Sequence, residues 1–275
     1  MRIRWYSLLA ACAIALSACT GTPAATTTPP LSLTAALPTQ APAATQPPAA
    51  PALTPTVEPA ATQPAPVAAP RQVTFQTEDG ITLSGTLFGQ GQVGVALSHM
   101  FPTDQTSWHA FAQTLADTGY LALAYDFRGY GQSGGQRRID QIDRDVQAAV
   151  EFLRGQGAQR IVLIGASMGG TASARVAGPV GADGLVVISS PRSFQGLSVN
   201  EDDIRAFKGP SLWIGSRGDA ATAETEAMHA QANEPKALHI YAGSAHGTTI
   251  FDTGDAADLS RRLLDFVTGY APPEQ

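Results

Sequence analysis

The feature that most constrains the chain is an apolar run, Arg160 to Ile164, that ends directly in Gly165-Ala-Ser167-Met-Gly169. Such a run reads as a buried strand, and the glycines two residues either side of Ser167 mark a turn too tight for a neighbouring Cβ. Residues 171–177 can continue as a helix. The segment therefore reads as strand, sharp turn and helix, with a serine hydroxyl at the apex. A plain Gly-rich strand-to-helix loop is the alternative, and it is weighed by looking for partners.

A serine needs a base to take its proton and an acid to hold that base. Asp219 lies on a loop leaving the apolar segment 211–215, and His246 on a loop leaving 237–241. The chain order Ser167, Asp219, His246 is the one a strand-turn-helix nucleophile uses. The other histidines fit less well. His239 alternates with Leu238 and Ile240 inside a strand, His229 lies in a polar helical stretch, and His109 comes too early in the chain. Asp202, Asp203 and Asp252 read as solvated charges. Asp219 as a turn-forming carboxylate is the bland reading of that residue.

Two further segments carry a family likeness. Ser98-His99-Met100-Phe101-Pro102 follows a third candidate strand, and Asp126-Phe-Arg128-Gly-Tyr-Gly131-Gln-Ser133 follows a fourth. With the serine turn, residues 73–270 resemble the α/β-hydrolases. The resemblance implies a mostly parallel eight-stranded sheet with flanking helices, a Ser167–Asp219–His246 triad, and an oxyanion hole made by the backbone N–H groups of Phe101 and Met168. It makes His99, Asp126 and Arg128 loop-shaping residues. Met100 stands where the family commonly has glycine, and its Cβ is expected to restrict the backbone that presents the Phe101 amide; its side chain is expected to narrow the pocket.

The coarse pattern fits that architecture. Candidate strands fall at 73–77, 81–88, 93–98, 121–126, 160–165, 184–189, 211–215 and 237–241, the first two alternating and joined as an edge hairpin, later runs such as 161–164 and 185–188 continuously apolar. Candidate helices fall at 107–118, 140–154, 169–177, 220–232 and 256–268. Between Pro191 and Pro210 there is room for a short helix near 199–207 but not for a lid domain, so little or no lid is expected and Ser167 is expected to be uncovered.

Before this domain the material changes. Arg2 and Arg4 precede a short apolar run that ends Leu16-Ser-Ala-Cys19, which resembles a bacterial lipoprotein signal, with cleavage before Cys19 and lipid attached to it. A plain secretory peptide is the alternative. Residues 19–72 are Pro-, Ala- and Thr-rich, residues 20–70 carry only one charge, Glu58, and the segment reads as a disordered tether; 271–275 reads as a short tail. Both cysteines, Cys12 and Cys19, lie outside the domain, which can make no internal disulfide. Without residues 1–18, 15 basic residues face 23 acidic ones and the formal charge falls from −6 to −8, which argues against a nucleic-acid partner. No zinc-ligand spacing or phosphate-binding loop is present, so no metal or organic cofactor is expected. The reading is an exported serine hydrolase held to the outside of a bacterial membrane by lipid and acting on a small acyl substrate, an ester first. An amide hydrolase with the same triad and a silent surface-binding module are the alternatives.

Overall fold

The structure, a computed structural model, describes residues 68–273. The proposed signal, Cys19 and most of the tether lie outside the described residues. In chain order the strands are β1 (Arg71–Gln76), β2 (Thr82–Phe88), β3 (Val93–Ser98), β4 (Leu121–Tyr125), β5 (Arg160–Ala166), β6 (Gly184–Ile188), β7 (Ser193–Phe194), β8 (Leu197–Ser198), β9 (Ser211–Ser216) and β10 (Lys236–Tyr241). The helices are α1 (His109–Asp117), α2 (Ile142–Gly155), α3 (Met168–Val176), α4 (Glu201–Ala206), α5 (Thr222–Gln231) and α6 (Ala256–Tyr270). Eight strands form one sheet in the order β1-β2-β4-β3-β5-β6-β9-β10. Only β2 runs against its neighbours; every pairing from β4 to β10 is parallel.

The continuous apolar runs follow from burial on both faces. Alternate residues of a strand point opposite ways, so Ile161 and Leu163 of β5 join one cluster with α2 and α3 residues such as Val146, Val150 and Ala172. Val162 and Ile164 join the other, with Leu115 of α1 and Leu263 of α6. In α6 the buried positions Leu259, Leu263, Phe266 and Val267 recur at helical spacing and lay one stripe on the sheet. Packing reaches slightly beyond the expected boundaries: β1 begins at Arg71, where pairing with Leu87 extends the edge hairpin, and Ala271, assigned to the tail, is fully buried.

Between β6 and β9 the chain is short, as expected, but not featureless. The small hairpin β7–β8 turns at Gln195 and Gly196, and α4 follows, closed by a reciprocal Asn200–Asp203 capping box. The resulting arrangement sends the ends of β3, β5, β6, β9 and β10 to the same edge of the sheet.

Candidate active site

Only Ser167 separates β5 from α3, and its backbone is left-handed, φ 51° and ψ −123°. A non-glycine residue held there stores on the order of 1–3 kcal/mol of strain. The turn is closed by contact: a Cβ added to Gly165 would lie 2.4 Å from the Gly169 carbonyl oxygen, and one added to Gly169 would lie 2.4 Å from that of Ser98. The Ser167 N–H donates to Ile188 O on β6 at 2.8 Å, while its carbonyl accepts from Gly170 N and Thr171 N at 2.9 and 3.0 Å. Ser167 is thus held from both sides. As a residue it is 7% exposed, but its hydroxyl is not among the fully buried unpartnered polar atoms of the described residues, and the chain between β6 and β9 holds only the small hairpin and α4 rather than a lid domain.

Asp219 and His246 follow β9 and β10, whose parallel pairing puts them on the same edge as Ser167. His246 Nδ1 lies 3.0 Å from both carboxylate oxygens of Asp219, which is buried while the imidazole is about one-third exposed. An ionised carboxylate makes Nδ1 the protonated nitrogen and leaves Nε2 as the acceptor. Their loops are laced together by Ser216 Oγ donating to Ala245 O at 2.7 Å and Gly218 N to Gly243 O at 2.9 Å. Gly247, at φ 57°, is where the histidine loop meets the serine turn, since an added Cβ would stand 3.3 Å from Ala166 Cβ. His239 instead packs edge-on against Tyr241, His109 against Phe88, and His229 sits on α5. A hollow of about 550 Å3 between α1 and α6, lined by Phe111 and Phe251, contains none of the three residues.

The loop after β3 is organised by His99, which is fully buried. Its Nε2 accepts the Phe127 N–H at 3.1 Å, so the proton is on Nδ1, which donates to Met100 O at 2.9 Å. Burial holds this ring below the usual histidine pKa, hence neutral. Thr103 adds two more donors to the same carbonyl, from N at 3.0 Å and Oγ1 at 2.9 Å. Across a trans peptide the next N–H points the other way, so fixing Met100 O fixes the direction of the Phe101 amide. Met100 itself needs no glycine: the described non-glycine residues at positive φ are Ser167, Ser189 and Gln195. The expected restriction at Met100 is therefore absent, and its side chain is buried toward Gly247, with Sδ 2.7 Å from a Cβ placed there. The Met168 N–H opens α3, among the first-turn donors a helix leaves without an internal partner.

Asp126 and Arg128 shape the loop after β4. Asp126 accepts from Gln105 N, Gln105 Nε2 and Gln132 N, each at 2.9 Å. Arg128 is buried between Asp145 and Asp79, at 2.6 and 2.8 Å, and the ion pair holds the Asp79 carboxyl well below its ordinary range. Nothing in the local pattern around Asp79 pointed to an arginine 49 residues away.

With this geometry in view, comparisons with known proteins give consistent results. Residues 94–198 match the family model described as serine aminopeptidase, S33. A bifunctional epoxide hydrolase 2 of Sus scrofa is 34% identical over 93 residues, 33% of this chain and 17% of that protein. Epoxide hydrolase A of Mycobacterium tuberculosis is 36% identical over 106 residues, 38% and 33% of the two chains. The chain thus spans a third or less of these two curated relatives. An esterase structure from Pyrococcus furiosus superposes with TM-score 0.63 at 22% identity, covering 74% of this chain and 93% of that one. The esterase domain of a Rhodothermus marinus protein gives 0.60 at 23%, covering 74% and 99%. The fold is the α/β-hydrolase fold.

Proposed function

We propose that the chain is a serine hydrolase acting on carboxylic esters. The observation that carries the reading is a strained serine on the same sheet edge as a histidine whose Nδ1 is held by a buried carboxylate. In this reading Ser167 Oγ attacks the acyl carbon while His246 Nε2 takes its proton, and Asp219 stabilises the imidazolium. The negative oxygen of the tetrahedral intermediate lies against the N–H groups of Phe101 and Met168. Collapse breaks the ester C–O bond, and His246 returns the proton to the departing alcohol. Water, deprotonated by His246, then frees the acid and regenerates Ser167. No step asks for a metal or organic cofactor.

Serine chemistry also weighs against epoxide opening, the activity named for two of the relatives. Attack of Ser167 on an epoxide carbon would leave an alkyl ether, which has no carbonyl for water to attack, so the cycle would stop. Amide hydrolysis is the second reading, favoured by the description of the matching family model; it uses the same residues with a poorer leaving group. A serine-reactive fluorophosphonate decides the core of the proposal: adduct on the Ser167 peptide is expected, and absence of labelling in folded protein would leave the silent-scaffold reading. Matched ester and amide substrates then separate the two chemistries. The same proposal places the domain outside a bacterial membrane on a lipid at Cys19, and an intact-mass spectrum of the cell-derived protein should show an acylated Cys19 as its first residue. An unmodified N-terminus elsewhere would reject that part.

A further inference from the structure

β3 and β6 are the two sheet neighbours of β5, the strand that ends in Ser167. The segment leaving β3 carries Phe101, and the one leaving β6 carries Phe194. Their ring centroids lie 5.7 Å apart with planes tilted by 54°. Two segments that leave strands on opposite sides of β5 and then touch must reach across its end. We propose that Phe101 and Phe194 form an aromatic arch beside the nucleophile that selects esters bearing a planar aryl group next to the scissile bond, a reading that rests on the ester-hydrolase function above and names its substrate class.

Both rings stand on fixed backbone. Phe194 belongs to a hairpin whose turn residues, Gln195 and Gly196, have φ of 46° and 89°, the left-handed pair that two-residue hairpins favour. Leu197 and Val199, just beyond, are buried and root it in the core. Thr171 Oγ1 donates to Pro191 O at 2.6 Å and also lies 3.3 Å from Ser167 O, so the hairpin's stem is keyed to the first turn of α3. Phe101 follows the carbonyl that His99 and Thr103 clamp. Phe101 is nonetheless 39% exposed, and the other exposed large apolar residues among the described ones, Leu238 and Tyr270, sit on β10 and α6. An aromatic face left in water at the site regains free energy when an apolar group covers it. Two rings set at this tilt offer a face and an edge, so a third ring gains stacking and edge-on contacts that an alkyl group of equal size does not.

The test uses pairs matched in size and leaving group: methyl phenylacetate against methyl cyclohexylacetate for the acyl side, and benzyl acetate against cyclohexylmethyl acetate for the alcohol side. The aromatic member of at least one pair should have the higher kcat/KM, by roughly three- to tenfold. Phe194→Leu should bring that ratio to about one, and Phe194→Tyr should restore it. Saturation-transfer NMR with benzyl alcohol and cyclohexylmethanol reads the same preference without turnover, and Phe101→Leu serves if Phe194→Leu does not fold. Ratios near one in both pairs, or a ratio that survives loss of the rings, would overturn the arch while fluorophosphonate labelling still upholds the hydrolase. Selective binding of benzyl alcohol without hydrolysis of any ester would uphold the arch and defeat the hydrolase instead.

Discussion

β5 and β6 lie side by side, and each delivers a serine in left-handed backbone at its C-terminal end, Ser167 at φ 51° and Ser189 at φ 49°. The likeness extends to register: the Ser167 N–H donates to Ile188 O on β6, and the Ser189 N–H to Ile214 O on β9, both at 2.8 Å. Their surroundings then diverge. Ser167 opens a helix directly and is flanked by Gly165 and Gly169, with the His246 loop against its neighbour Ala166. Ser189 runs on into Ser190 and Pro191, is fully buried, and its hydroxyl has no protein partner. Strain and register are common to both positions. What distinguishes Ser167 is a helix N-terminus beneath the hydroxyl, glycines that let other loops close in, and a base within the same edge.

The strongest attempt to break this contrast is to remove each hydroxyl in turn. Ser167→Ala should lower ester turnover by several orders of magnitude, since loss of a triad serine costs on the order of 10⁶. Ser189→Ala should stay within about threefold of the parent, and a hundredfold loss there would show that the second serine shares in the chemistry. Next in size, Asp219→Asn should cost about 10⁴ in kcat with little change in KM, because it removes the charge that holds the His246 tautomer. Steady-state kinetics on one soluble ester reads all three.

Stability sharpens the same contrast at a smaller scale. Glycine accepts positive φ without a Cβ clash, so Ser167→Gly and Ser189→Gly should each stabilise the domain by about 1 kcal/mol after the entropy cost of glycine. That is a rise of roughly 2–4 °C in Tm for a domain of this size. Only the first should abolish activity. Unchanged or lower Tm values in both variants would mean that neither backbone is strained.

The smallest effect concerns the loop on the other flank of β5. His99 is neutral in the fold because burial lowers its pKa from the ordinary 6.5, whereas the unfolded chain takes up the proton as pH falls through that value. The unfolded state then binds more protons, so stability falls with pH; between pH 7.5 and 6 the loss is about 0.8 kcal/mol for a ring that stays neutral. Asp145, pushed up to about 6 by burial, acts in the opposite sense, but mainly between pH 4 and 6, below most of this window. His99→Gln should flatten the slope in denaturant titrations. A slope unchanged by the substitution would assign it to other groups.

The parts of this molecule that were legible in the sequence are those written in one stretch of chain. Continuous apolar runs such as Ile161 to Ile164 announce a strand covered on both faces, and the Gly165–Gly169 spacing announces the turn. Asp219 was legible because it follows such a run, and His246 because it follows a short strand pattern, Ala237 to Tyr241, although that strand lies at the sheet edge and is largely exposed. The β7–β8 hairpin was not, since two-residue strands carry no periodicity and its turn is Gln195-Gly196 rather than a more telling pair. The Asp79–Arg128–Asp145 cluster was hidden for a different reason: its members come from three separate segments, and only folding brings their charges together. Met100 misled because the need for glycine depends on φ, which the residue's place in a motif does not reveal.

β10 is one of the sheet's two edge strands, paired on one side only, and most of its residues are partly or fully exposed. Edge segments with so little covering open at lower free energy than the sheet's centre. His246 is carried on the loop that this strand delivers. Warming should therefore disconnect the proton carrier while the interior strands remain paired, so that the working temperature range of the protein ends before its melting transition begins.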